Sequence, residues 1–191
     1  MATPRQKHAG RDRSLEAELK FRLAGAADHA RLRARLRELG AGSEGAYDEA
    51  NVRFAVPTKT RVSLRLRILD GAKSGILTTK GPARFSRGIK IREETEVEVA
   101  DAATARDLLL SLGYSVEFTF AKHRATWTLG TVSVTLDTLD FGFFAELEGP
   151  PEALPSTAKQ LGLDPKLAIR QSYSSMARDH LRDTKQLAAR T

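Results

Sequence analysis

A chain of 191 residues, 29% charged and 41% hydrophobic, has the makeup of one soluble globular domain with a sizeable core. No apolar run approaches the ~20 residues a membrane helix needs, and the first 14 residues are basic without the apolar stretch of a secretory signal. The absence of cysteine excludes disulfides and thiolate metal sites; a cytoplasmic setting is expected, and the formal charge of +7 favours an anionic partner.

Residues 1–14, with Arg5, Lys7, Arg11 and Arg13, lack hydrophobic periodicity and read as a flexible basic tail. A strand is predicted over Leu15–Leu23, then a helix from about Asp28 to Leu39. Asp28 is its expected N-cap and Gly40 its terminating glycine. Leu32, Leu36 and Leu39 recur at helical spacing and should lie on a sheet, while Arg31, Arg33, Arg35 and Arg37 make a solvated face. Strands follow over Asn51–Val56, Val62–Leu69, Gly75–Lys80 and Ile89–Val99, with a turn at Asp70-Gly71 and a loop over Gly81–Gly88.

A second helix, Ala102–Leu112, has Asp101 before it and Gly113 after it. Strands are then predicted over Val116–Lys122, His123–Leu129, Val132–Thr138 and Phe143–Glu148, with Gly130 at a turn. Helices close the chain around Ser156–Leu161 and from Ser172 to at least Leu181. The domain is expected over 15–183, with 184–191 as the end of the last helix or a tail. Many strands and few helices argue an α+β protein built on an antiparallel sheet or barrel.

Side chains two apart on a strand share a face. On the first strand Glu16, Glu18, Lys20 and Arg22 oppose Ala17, Leu19, Phe21 and Leu23. Arg65 and Arg67 oppose Leu64, Leu66 and Ile68; Thr78 and Lys80 share a face; Arg92, Glu94 and Glu96 oppose Ile91 and Val97. Lys122 and Arg124 share another, and Glu146 and Glu148 oppose Leu147. Helices need the apolar faces, so a sheet that closes turns these charges, with Asp137, inward. An eight-stranded barrel has room inside for side chains or one small ligand. Ion pairing alone is a poor reason to bury such a set, since desolvation offsets the attraction. A polyanion with divalent cations satisfies both signs: arginine and lysine donate to phosphate, and carboxylates hold Mg²⁺ or Mn²⁺.

These residues resemble the CYTH superfamily, the triphosphate tunnel metalloenzymes, which includes class IV adenylyl cyclases, thiamine triphosphatases and inorganic triphosphatases. The E-x-E-x-K signature reads Glu16-Ala-Glu18-Leu-Lys20; the paired arginines are Arg65 and Arg67; the lysine-glycine strand end is Lys80-Gly81. An R-x-E-x-E run appears as Arg92-Glu-Glu94-Thr-Glu96, and a K-x-R strand as Lys122-His-Arg124. Then follow Asp137, the closing Gly142-Phe-Phe144-Ala-Glu146-Leu-Glu148, and Arg170-Gln-Ser172-Tyr173 at the last helix. The resemblance spans roughly residues 15–180. It implies a closed eight-stranded antiparallel β-barrel, a tunnel with helices packed outside, holding a triphosphate and one or two Mg²⁺ or Mn²⁺ ions. It implies metal ligands at Glu16, Glu18, Glu146, Glu148 and Asp137, and phosphate contacts from Lys20, Arg65, Arg67, Lys80, Arg92, Lys122 and Arg124. Glu94 and Glu96 are candidates to orient water or hold a second metal.

The chain departs from the family where Asn51-Val-Arg-Phe54 is followed by Ala55, and where Gly10–Ser14 lacks the His-Phe pair of the best-known class IV cyclases. The expected reaction is therefore metal-dependent hydrolysis of tripolyphosphate, ATP or thiamine triphosphate. The alternatives are cyclisation of ATP and, last, a polyphosphate- or RNA-binding module, which would need exposed aromatics among its bases. No phosphate-binding loop of the G-x-x-x-x-G-K-S/T type is present. His123 and Trp127 fall on the outward face; His8, His29 and His180 belong to the tail or to helix surfaces. Arg84 and Arg87 sit in the 81–88 loop, as a lid or a solvated hairpin end.

Overall fold

The computed structural model describes residues 12–58 and 60–188. Nine strands run in chain order as β1 (Asp12–Leu23), β2 (Gly42–Ala55), β3 (Ser63–Leu69), β4 (Gly75–Lys80), β5 (Arg84–Ser86), β6 (Ile89–Val99), β7 (Ser115–Leu129), β8 (Val132–Leu139) and β9 (Gly142–Glu148). The helices are α1 (Ala26–Glu38), α2 (Ala102–Ser111), α3 (Leu154–Gln160) and α4 (Tyr173–Ala188), with a 3₁₀ turn at Pro165–Leu167. Neighbouring strands pair in the order β1-β9-β8-β7-β2-β3-β4-β6, and β6 returns to β1. Eight antiparallel strands therefore close into a barrel, and no edge is left among them. The short β5 continues along β6 beyond the end of β4.

The apolar core lies outside the barrel. Each strand turns alternate side chains outward, and Leu19, Phe21, Trp127, Val134, Leu136 and Leu147 are covered by Leu32 and Leu36 of α1 and Leu154 and Ala158 of α3. Leu36 and Leu147 are both fully buried, so α1 and α3 seal this wall. A second cluster, Phe54, Leu64 and Leu66 with Ala102, seats α2 on the opposite side. A third cluster, Leu139, Phe144, Tyr173 and Met176, seats α4, and because Leu139 and Phe144 share the parity of Asp137 and Glu146 it lies on the inward face of β8 and β9. Burying an aliphatic side chain is worth about 1.5–3 kcal/mol, so it is the outer layer that holds the barrel closed around its charged interior.

The three helices that end in glycine do so by one device. Ala41, Tyr114 and Leu163 donate N–H to the carbonyls of Leu36, Leu109 and Ala158, and the glycine before each donates one residue further on. Gly40, Gly113 and Gly162 all have positive φ, as this termination requires.

Several element boundaries differ from the expectations. Residues 12–14 belong to β1, pairing with Thr95 and its neighbours on β6, and are not tail; residues 1–11 lie outside the described residues. The first helix starts at Ala26 with Gly25 as N-cap, and Asp28 stands in its first turn, accepting the Ala24 N–H at 2.8 Å. β2 starts at Gly42, well before Asn51, and 115–129 is one strand. Within the 81–88 loop, Arg84–Ser86 pair with β6, and the turn shrinks to Arg87-Gly88, both at positive φ. The third helix begins at Leu154, two residues before Ser156; α4, expected to at least Leu181, runs through Ala188. Among the described residues no helix is long and apolar enough to cross a membrane.

Candidate active site

The barrel encloses a cavity of about 400 Å³. Strand parity delivers its wall: Glu16, Glu18 and Lys20 from β1, Arg65 and Arg67 from β3, Lys80 from β4, and Arg92, Glu94 and Glu96 from β6. Lys122 and Arg124 come from β7, and Glu146 and Glu148 from β9. Of the residues expected at the site, only Asp137 does not line this cavity. It lies behind the wall, fully buried, where Arg124 Nε and Nη2 donate to its two oxygens at 2.6 Å each and Tyr173 Oη donates at 2.7 Å. Arg22 also leaves the interior set: it is exposed, donates to the Phe141 carbonyl and stacks over Phe144.

The sequence reading missed Arg53, which lines the cavity from β2, and Glu49, buried four residues earlier on the same strand face. It missed Lys90, buried against Glu18 at 2.8 Å. It also missed the α4 approach, where Ser172, Tyr173, Ser174, Ser175 and Arg178 stand on the cavity, so α4 is not wholly an outer helix. Counting back by twos from Asn51 would have found Glu49; the segment before it, with little apolar alternation, hid the strand. Histidine 29 is also placed differently, buried beneath α1 with Nε2 3.0 Å from the Phe144 carbonyl oxygen. His123 is exposed beside Asp48, and Trp127 is buried under α1, both on the outward face as expected. Arg84 and Arg87 do not line the cavity.

Each base on the wall is held by an acid. Lys20 pairs with Glu146 at 3.0 Å, Arg92 with Glu94 at 2.7 Å, Arg67 with Glu96 at 3.3 Å, and Lys80 with Glu94. Arg124 reaches Glu146 at 2.5 Å as well as Asp137. Burial pushes the Lys122 ammonium down to about 8, helped by the Arg124 charge and opposed by Asp137 and Glu49. Burial and neighbouring Arg67 lower Arg65 to about 10. Despite burial, Lys20 and Arg124 hold Glu146 well below the usual carboxylate range. In contrast, burial and the facing carboxylates raise Glu16 and Glu148.

That contrast bears on a metal. Glu16, Glu18, Glu146 and Glu148 turn oxygen donors into one space, and Glu16 and Glu148 are crowded by like charge there. Such a donor set suits a hard divalent cation, which would relieve the crowding. Among the described residues no group of three or more acids or histidines already stands at coordinating positions. Asp137 has both oxygens engaged. The guanidinium Nε atoms of Arg65 and Arg67 are buried and have no hydrogen-bond partner among the described residues.

A closed antiparallel barrel with its charges turned inward defines a tunnel fold. The CYTH domain model matches residues 14–173, and the chain belongs to that family. Solved structures agree. A Vibrio parahaemolyticus protein named as a candidate adenylate cyclase is 23% identical, covers 87% of this chain and 99% of its own, and superposes with a TM-score of 0.74. A Pyrococcus horikoshii protein is 26% identical over 83% of this chain and 96% of its own, at a TM-score of 0.70. A Hippeastrum protein, a candidate adenylyl cyclase described as having a dominant triphosphatase activity, is 20% identical over 86% and 96%, at 0.67. No curated protein matches the chain.

Proposed function

We propose that the protein is a divalent-metal-dependent triphosphatase that hydrolyses tripolyphosphate or the triphosphate of an organic ester. The observation that carries this reading is the cavity wall itself, where nine bases and six acids converge on one enclosed space. Lys20, Arg65, Arg67, Lys80, Arg92, Lys122 and Arg124 bind the phosphate oxygens, each held in place by the carboxylate behind or beside it. Charge-assisted donors fixed before the substrate arrives cost no reorganisation during reaction. Glu16, Glu18, Glu146 and Glu148 hold Mg²⁺ or Mn²⁺, which when bound neutralises phosphate charge and activates the reacting centre as a Lewis acid. Glu94 is fully engaged by Lys80 and Arg92, so its part is to hold those bases. Glu96, more open, is the better placed of the two to orient water. Asp137 fixes Arg124.

The test is to incubate the protein separately with tripolyphosphate, ATP and thiamine triphosphate, with Mg²⁺ or Mn²⁺, and identify the products. Hydrolysis of tripolyphosphate to phosphate and pyrophosphate, faster than any conversion of ATP to cyclic AMP, is expected. A cyclase must also hold the ribose and keep water from the α-phosphorus, which demands a shaped nucleoside pocket. Abundant cyclic AMP with little tripolyphosphate turnover would overturn the reading in favour of cyclisation, and full activity in EDTA would remove the metal from it.

A further inference from the structure

Glu49 belongs to none of the motifs that mark the tunnel, yet it sits at the centre of the wall's charge network. It is 1% exposed and directly opposite Lys122 in the β2–β7 ladder. Lys122 Nζ lies 3.2 Å from its Oε2, to which Asn51 Nδ2 also donates at 3.4 Å. Its other oxygen, Oε1, makes no hydrogen bond; it lies 3.7 Å from Arg67 Nη1 and 3.9 Å from Arg124 Nε. We propose that Glu49 is a positioning residue, which holds Lys122, Arg67 and Arg124 from behind the wall so that their remaining donors face the phosphate chain.

The arrangement has a physical logic. Coulomb attraction falls off slowly with distance where water is excluded, so Oε1 still draws both guanidinium groups from 3.7 and 3.9 Å. Glu49 therefore gathers two guanidinium groups while consuming none of their hydrogen bonds through Oε1. Asp137 works differently, taking two donors from Arg124 outright, one of which it shares with Glu146. The two buried acids thus hold Arg124 from two sides, and Asp137 ties this assembly to α4 through Tyr173. Removing Glu49 takes away the acid that these three cations share and leaves Arg124 to Asp137 and Glu146, Lys122 to Asp137 and Arg67 to Glu96, so their spacing is no longer fixed from behind.

This inference rests on reading the tunnel as a phosphate site, and its test separates the two. Tripolyphosphate binding is measured calorimetrically in EDTA, and Mn²⁺ binding separately by its magnetic resonance signal, for wild type, Glu49→Gln and Glu49→Asp. Asp keeps the charge but withdraws it by one methylene, so it serves where neutralising a buried hub costs too much stability. Loss of a charged hydrogen-bond partner predicts that Glu49→Gln weakens tripolyphosphate binding by roughly tenfold or more, with Glu49→Asp in between. Mn²⁺ affinity stays as in wild type for both. In turnover the change falls on KM and leaves kcat largely intact. Unchanged tripolyphosphate affinity in the variants, or a loss of Mn²⁺ affinity instead, overturns the positioning role. A wild-type protein that binds no tripolyphosphate overturns the phosphate reading beneath it.

Discussion

Arg65 and Arg124 stand on the same wall but differ in what holds them. Arg124 is pinned by Asp137 and Glu146 at 2.5–2.6 Å, whereas among the described residues Arg65 is held by Thr78 at 3.4 Å and Glu96 at 3.8 Å. Arg65→Ala is therefore expected to weaken tripolyphosphate binding by about 1.5–3 kcal/mol, the worth of a charged hydrogen bond, with little change in melting temperature. Arg124→Ala should weaken binding as much and also destabilise the fold by roughly 3–5 kcal/mol, because it takes the two-pronged charged partner from buried Asp137 and leaves it Tyr173 and the more distant Lys122. Arg33→Ala, on the helix surface, should do neither. Calorimetry paired with thermal melting separates these outcomes, and equal binding losses from all three would mean a diffuse basic surface. Glu49 makes a pH prediction. Burial would raise its pKa, but Lys122, Arg124, Arg67 and Arg65 win and lower it to about 2. A depressed carboxylate contributes stability that is complete above the ordinary carboxylate range and is lost as pH falls through that range toward about 2. The stability gap between wild type and Glu49→Gln should therefore be widest near neutrality and close on acidification. A gap independent of pH in denaturant titrations would show that Glu49 is not ionised in the fold.

At the level of elements, legibility followed the strength of the alternation. β4 and β6 match their expected bounds: β4 lies between the turn at Asp70-Gly71 and Gly81-Pro82, and on β6 Arg92, Glu94 and Glu96 alternate with Ile91 and Val97. β2 was read only from Asn51 because Gly42–Ala50 has two glycines and mostly small or acidic residues; its pairing with β7, not its own composition, makes it a strand. The same ladder fuses the two strands predicted over 116–129. β5 was invisible for a related reason: three exposed residues after Gly81-Pro82 form a strand only because β6 extends past β4 to receive them. The α2 contact gives an element-scale test. A Cβ on Gly75, at the start of β4, would meet Ala102 Cβ, the Arg67 carbonyl oxygen and Leu66 Cδ1, each at 3.0 Å. Gly75→Val should thus push α2 off the barrel and cost about 1–3 kcal/mol in chemical denaturation, as overpacking does. An unchanged unfolding midpoint would mean that α2 is not seated on β4 so closely.

The whole molecule inverts the usual arrangement, with oil outside the barrel and ions within. That much was readable from the sequence, because helices and charged strand faces cannot share a surface. Which acids face the cavity and which stand behind it was not readable, since Asp137 and Glu49 have the same parity as true cavity residues and differ only in depth. This architecture makes a final prediction about stability. The cavity surface carries nine bases against six acids, so a polyanion that fits among them should stabilise the native state and find no equivalent site in the unfolded chain. Tripolyphosphate at a hundred times its dissociation constant should add roughly 2.7 kcal/mol, or a rise of roughly 5–10 °C in Tm for a domain of this size. The measurement is a thermal melt in EDTA with and without tripolyphosphate, against sodium chloride at the same ionic strength. Simple screening acts on all charges alike and gives the two salts the same shift. A site gives tripolyphosphate the larger one, and Arg65→Ala should shrink that excess while Arg33→Ala leaves it whole. Equal shifts from both salts in the wild type would mean that the barrel's charges do not form one receptor for a phosphate chain.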